Sequence, residues 1–263
     1  MNNSLYSGRT ALVTGASSGL GSDFARQLAR QGANLIITAR RAAALEALAR
    51  EIIAETPGIN VDVIVLDLGQ SDSVERLAAE IATRGLVVDI LINNAGYGSY
   101  GPFDQIPWEK ENTMLQLDIV TLVRTTKVFA EGMKKRGWGR ILQVASIAAF
   151  QATPLYASYG AGKAFVLNYG IAVNRELRGT GVTCTVLSPG VTATEFLKVA
   201  DQRPTSFQRS TMMTSPAVAK IGLAALAKGR KSVVPGFGNT VAAVMTRFIG
   251  RGVAAAVAEA AMR

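Results

Sequence analysis

A chain of 263 residues with 49% hydrophobic and 18% charged side chains can bury a large core and does not read as disordered. It contains no histidine and a single cysteine, Cys184, which excludes an intrachain disulfide, a Ser-His-Asp triad and a Cys/His metal cluster. The formal charge of +9 gathers late, because from residue 200 onward nine Lys and Arg stand against Asp201 and Glu259. That excess reads as a soluble basic surface, or as attraction for an anionic partner such as a phosphate-bearing substrate, an acidic carrier or a membrane surface. No basic motif with interleaved aromatics occurs, so nucleic acid is not an expected partner.

The polar opening at 1–10 lacks the apolar segment of a signal peptide, and no charge-free apolar run reaches spanning length. The run ALVTG (11–15) predicts a buried strand, and 20–32 predicts a helix. Between them TGASSGLG (14–21) places Gly15, Gly19 and Gly21, with Ser17, Ser18 and Leu20, at a strand-helix junction. Glycines there let backbone N–H groups approach a pyrophosphate that the helix N-terminus stabilises, so dinucleotide binding is expected rather than a plain tight turn. A second strand (34–38) ends at Ala39, with Arg40 and Arg41 opening a helix over 41–55. A carboxylate at that point would hold the ribose hydroxyls of NAD and repel a 2′-phosphate, whereas an arginine fork suits the phosphate. NADP(H) is therefore expected in preference to NAD(H).

The third strand (61–67) ends at Asp67, followed by Leu68, and a helix is predicted over 73–85. The fourth (88–94) ends at Asn94, with Ala95 and Gly96 beyond, and one long helix is predicted over 108–136. The fifth (140–146) ends at Ser146, and the helix over 158–178 carries Tyr159 and Lys163 one turn apart on a shared face. The sixth (182–188) contains Cys184, read as a small buried residue, and leads to Pro189 and Gly190. Residues 192–230 break the rhythm, with a polar loop around ADQRPTSFQRS expected over a cleft, and SVVPG (232–236) is a seventh strand. A closing Ala/Val-rich helix interrupted by Arg247 and Arg251 reads as packing at the domain edge or at a subunit interface.

Strand-helix alternation of this kind predicts one α/β domain over 1–263, a doubly wound parallel sheet between two helical layers. Ligands of such sheets bind beyond the carboxyl ends of the strands, where the candidate residues above converge. An ammonium beside a phenol favours the phenolate, so Lys163 is expected to lower the pKa of Tyr159 and make it a tuned acid or base.

The chain resembles the short-chain dehydrogenase/reductase family over nearly its whole length. The matching pieces are TGASSGLG, NNAG at 93–96, Ser146 ahead of Tyr159, the Tyr159/Lys163 pair, and SPG at 188–190 followed by Thr192 and Thr194. The resemblance implies that Tyr159 is the catalytic acid/base, that Ser146 binds the substrate oxygen, and that Lys163 also binds the nicotinamide ribose. It places Asp67 at the adenine, Asn94 near the adenosine ribose, and Val191 and Thr192 near the carboxamide. In the long helix before the fifth strand the family usually has an asparagine that helps to hold a relay water, and this chain has Asp118. A backbone contact there would make the change mild, whereas a side-chain contact would put an extra carboxylate beside Lys163 and alter its titration.

The expected function is NADP(H)-dependent hydride exchange with a ketone, an aldehyde or a 3-oxoacyl group. Within that class a 3-oxoacyl thioester reductase competes with a reductase of free carbonyls. A non-catalytic NADP-binding regulator is the rival from another class. A homodimer or homotetramer is expected, as is a cytoplasmic location, which suits the unpaired cysteine. No metal is expected, and peripheral contact with a membrane is left open.

Overall fold

The structure, a computed structural model, describes residues 4–262; Arg263 of the basic tail lies outside them. The first half runs β1 (Thr10–Thr14), α1 (Gly19–Ala29), β2 (Asn34–Ala39), α2 (Ala42–Glu55), β3 (Val61–Val65), α3 (Ser73–Thr83) and β4 (Ile90–Asn93). Then come α4 (Trp108–Leu115), α5 (Leu122–Lys135), β5 (Gly139–Val144), α6 (Ala157–Glu176) and β6 (Val182–Leu187). The final part holds β7 (Thr192–Ala193), α7 (Phe196–Val199), α8 (Ser206–Thr211), β8 (Met213–Thr214) and α9 (Ser215–Ala227). It closes with β9 (Ser232–Val233), α10 (Phe237–Met245) and α11 (Arg251–Met262).

Seven strands form one parallel sheet in the order β3-β2-β1-β4-β5-β6-β9. The strands are apolar on both faces because helices cover both. Val13, Leu35, Ile37 and Ile92 face Phe24, Leu28, Leu45 and Leu223, contributed by α1, α2 and α9. Their neighbours Leu12, Ile36 and Leu91 face Leu77, Ile81, Phe129 and Met133, contributed by α3 and α5. That is the two-residue alternation of a strand, applied to a sheet buried on both sides. Each such side chain contributes about 1.5–3 kcal/mol by leaving water. The strand order reverses between β1 and β4, which opens a crevice at their carboxyl ends.

Two segments differ from the sequence reading. The helix expected over 108–136 is continuous, but Gln116–Thr121, between α4 and α5, is wound as a π-helix. Apolar periodicity is blind to one extra residue in a turn, so the sequence pattern does not reveal it. The irregular region expected over 192–230 ends earlier: α9 is a core helix, with Val218, Leu223 and Leu226 buried. Gly222 lets it close on Leu187 and Phe24, since a Cβ there would lie 2.9 Å from the first. The polar stretch ADQRPTSFQRS starts at Ala200, just past the end of α7, and forms a connecting turn and most of α8, capped by Thr205 through a capping box with Gln208.

Candidate active site

A cleft of about 440 Å³ runs across the carboxyl ends of the strands. All the residues expected at the site line it except Gly21 and Asp118. Its nucleotide end is built by the turn between β1 and α1. Gly15 has φ +67°, a left-handed conformation that suits glycine. Gly21 is packed so closely under the turn that a Cβ would lie 2.2 Å from the Gly15 carbonyl oxygen. Asn94 donates from Nδ2 to the Thr14 carbonyl at 3.0 Å and to that of Gly15 at 3.3 Å, fixing the turn to the end of β4. Ser18 at the N-cap of α1 makes no side-chain cap, so the first-turn N–H groups are left to face a ligand.

Arg40 is exposed at the end of β2 and lines the same end, beside Ala39, Asp67 and Leu68. Arg41 is engaged differently. Its guanidinium donates to the Ser17 hydroxyl and carbonyl, both at 3.2 Å, and pairs with Glu195 at 3.1 Å. The Glu195 carboxyl is held below the usual range by the Ser18 hydroxyl and by Arg41. The two arginines therefore differ in what they can offer an anion.

At the other end, Tyr159 and Lys163 on α6 meet Ser146 at the end of β5. Lys163 is 5% exposed, its ammonium 2.9 Å from Asp118 Oδ2, and it donates to the Val144 carbonyl at 3.2 Å. Asp118 is 3% exposed and sits in the π-helical segment behind Gly96, where Oδ1 accepts the Tyr97 N–H at 3.2 Å. It is thus the side chain of Asp118 that reaches the lysine. Burial raises the Asp118 carboxyl, and Lys163 opposes that shift.

The expected lowering of the Tyr159 pKa is not what the site produces. Burial pushes the phenol above its ordinary value, the Asp118 carboxylate adds to the rise, and a hydrogen bond with Ser146 opposes it. Burial is the main cause, and Lys163, paired with Asp118 and 5.5 Å from the Tyr159 ring centroid, does not outweigh it. Ser146 is itself oriented by accepting the Ala148 N–H at 3.2 Å.

Beyond Tyr159 the cleft is walled by residues that the sequence does not advertise. Tyr156 and Phe196 flank the Tyr159 ring at centroid distances of 5.5 and 5.3 Å. The buried Tyr156 hydroxyl donates to Gln202 Oε1 at 2.8 Å, just after Leu155, whose φ of 65° is unusual for a branched side chain. Met262 closes the wall from the far end of the chain.

These features agree with what is known of other proteins. A sequence model of the family described as short chain dehydrogenase matches residues 9–204. The chain belongs to this family. A short-chain dehydrogenase from Sphingobium yanoikuyae, solved in complex with NADPH, is 28% identical, with a TM-score of 0.80 over 87% of this chain and 88% of that one. A solved 7beta-hydroxysteroid dehydrogenase is 27% identical, with a TM-score of 0.86 over 98% of this chain and 99% of that one. The very-long-chain 3-oxoacyl-CoA reductase of Mycosarcoma maydis is 31% identical over 191 residues, which is 72% of this chain and 55% of that protein's length. This short-chain dehydrogenase is thus a nicotinamide-dependent oxidoreductase of CH–OH and C=O groups.

The remaining expected residues fall into place around the carboxyl end of β6. Pro189, Gly190, Val191, Thr192 and Thr194 line the cleft between its two ends, facing the glycine turn, and Ala95 and Gly96 form the floor opposite. A dinucleotide fits this shape: a glycine cradle at a helix N-terminus, an exposed arginine at the second strand, and a phenol-serine pair at the far end. Cys184 plays no part, since it is fully buried in β6 and its thiol is pushed up to about 12. Among the described residues, no group of His, Cys, Asp or Glu side chains could hold a metal ion.

Proposed function

We propose that this short-chain dehydrogenase takes NADPH in preference to NADH and reduces a bulky, uncharged ketone or aldehyde. Arg40 supports the cofactor choice, because β2 ends without a carboxylate and Arg40, unlike Arg41, makes no salt bridge among the described residues. Arg40, Arg41 and Ser17 would hold the 2′-phosphate, the turn at Gly15–Leu20 the pyrophosphate, Asp67 and Leu68 the adenine, and Asn94 its ribose. Lys163 would meet the nicotinamide ribose, and Val191, Thr192 and Thr194 the carboxamide side.

Bound NADPH supplies the hydride received by the carbonyl carbon. Tyr159 donates its proton to the carbonyl oxygen as negative charge develops there, and Ser146 is the second donor to that oxygen. An ordinary phenol is already protonated at neutral pH, so the proton is available in this direction, and the upward push of burial makes Tyr159 a weaker acid rather than a better one. Asp118 and the Val144 carbonyl hold Lys163 in place beneath both.

The observation that carries the substrate class is the wall itself. Past Glu195, the substrate end presents Tyr156, Phe196, Leu197, Val199 and Met262 with the neutral Gln151, Thr153 and Gln208, and the charged side chains lining the cleft nearest to it are Lys163 and Glu195. That disfavours an anionic substrate bound inside the cleft, although the fungal relative is named for an acyl thioester. A non-catalytic regulator has no use for the Ser146–Tyr159–Lys163 arrangement.

The enzyme is proposed to act in the cytosol as one unit and as a homodimer or homotetramer. Exposed Val120, Val128 and Phe165 on the long helices support subunit pairing there. Consumption of NADPH with a panel of alicyclic ketones, short ketones and acyl thioesters tests the substrate class. Turnover of the thioesters alone, or of none, would overturn it.

A further inference from the structure

Over α10, the turn at 246–250 and α11, the molecule points its large apolar side chains outward. Phe237 is 87% and Phe248 76% exposed, and Val244, Met245, Val253 and Val257 stand exposed with them. Single exposed apolar residues are ordinary, but so many large ones over two successive helices and the turn between them mark a segment that meets something. Its charges are of one sign. Arg247 and Arg251 are exposed, and among the described residues neither has a salt bridge. The sequence has no Asp or Glu between Asp201 and Glu259. Glu259 is half-buried, and helical spacing puts it, with Arg251, Ala255 and Met262, on the side of α11 away from Val253 and Val257, so the cation within the apolar run is Arg247, beside Phe248.

We propose that this platform docks on an anionic lipid bilayer. The apolar side chains would enter the boundary between headgroups and acyl chains, and Arg247, in the turn beside Phe248, would meet lipid phosphates, with Arg251 at the edge of the patch. A two-fold contact with a second copy would bring the same arginines together without a carboxylate from either side. An anionic membrane supplies the charge that the protein's own surface lacks. No helix of the described residues is long and apolar enough to cross a bilayer, so the helices lie on the surface.

A second observation ties the platform to the cleft. Helix α11 runs from the exposed face into the substrate end, where Met262 forms part of the wall. Its last turn is held there by the Tyr100 hydroxyl, which donates to the Met262 carbonyl at 3.2 Å, and by Gln208 Nε2, 3.3 Å from the Met262 Sδ. Docking would set the mouth of the cleft at the lipid surface, where an uncharged apolar ketone concentrates. That purpose rests on the substrate reading above; the surface does not.

The test is co-sedimentation of the full chain with vesicles of phosphatidylcholine alone and of phosphatidylcholine mixed with phosphatidylglycerol. The chain should bind the mixed vesicles preferentially and lose binding as salt rises. Arg247→Gln should weaken binding roughly fivefold and Arg251→Gln, at the edge of the patch, less. The double change Phe248→Ser with Val253→Ser should weaken it by roughly tenfold or more while circular dichroism and NADPH affinity stay as in the parent. Binding is read without turnover, so failure of the ketone reading would not alter the result. Absence of binding to both vesicles, or equal binding to both, would overturn the proposal. So would a light-scattering mass that the double variant halves, because the patch would then belong to a second copy.

Discussion

Asp118 Oδ2 lies 2.9 Å from Lys163 Nζ, and both side chains are buried. The lysine that would otherwise favour a phenolate is thereby committed to a carboxylate, whose own charge raises Tyr159 further. Asp118→Asn keeps the shape and removes the negative charge. The Tyr159 phenol should then titrate at lower pH than in the parent, so the phenol-dependent limb of the pH–rate profile should move to lower pH. An unmoved limb would mean that Asp118 does not tune the phenol. Asp118→Ala should cost about 3–5 kcal/mol of stability by leaving the ammonium buried without its partner, read as a lowered thermal midpoint.

Tyr159→Phe removes one oxygen and keeps a ring wedged between Tyr156 and Phe196. Folding and NADPH binding should survive. Loss of proton transfer should lower kcat by roughly 10²–10⁴-fold. Turnover within a few-fold of the parent would place the chemistry elsewhere.

Arg40→Ala should weaken NADPH by about 1.5–3 kcal/mol and leave NADH nearly unchanged, because only NADPH carries the 2′-phosphate. Glu195→Gln frees Arg41 from its pair and should tighten NADPH. Titration of both cofactors against the parent and the two variants reads these effects, and equal affinity of the parent for both cofactors refutes the cofactor assignment.

Three phenols, Tyr6 and Tyr156 buried and Tyr159 half-buried, set an alkaline limit on the fold. Tyr6, Tyr156 and Tyr159 are each raised, burial being the main cause. The unfolded chain loses these protons near the ordinary phenol value of about 10, before the folded chain does. Their contribution is complete below that pH and disappears as pH rises through the folded values. Denaturant midpoints should hold steady up to about pH 9 and fall beyond about pH 10. Tyr6→Phe should reduce the fall, since its hydroxyl bonds the Leu223 carbonyl at 2.8 Å and is lost from the titration.

What the sequence discloses here is local. Seven apolar runs, the glycine turn and the Tyr159/Lys163 spacing each lie within a few residues, and each is found where its own pattern places it. The arrangement of Asp118 against Lys163 is not local, because 45 positions separate them and a π-turn decides where the carboxylate points. The substrate wall brings together residues 156, 196 and 262, which are ordinary apolar or aromatic side chains until the chain folds. The role of Arg41 was legible only as a charge; its engagement with Glu195 depends on the return of the chain after β6.

The winding of Gln116–Thr121 leaves the molecule with a lever that no single substitution supplies. A segment carrying one surplus residue can shed it and remain helical. Deleting one position there would tighten the wide turn to an ordinary one and leave α4 and α5 in their present relation, so only the side chains of the segment itself would be re-aimed. The carboxylate would swing away from Lys163 while the rest of the sheet stayed as built, separating the electrostatics of the pair from the architecture that holds it.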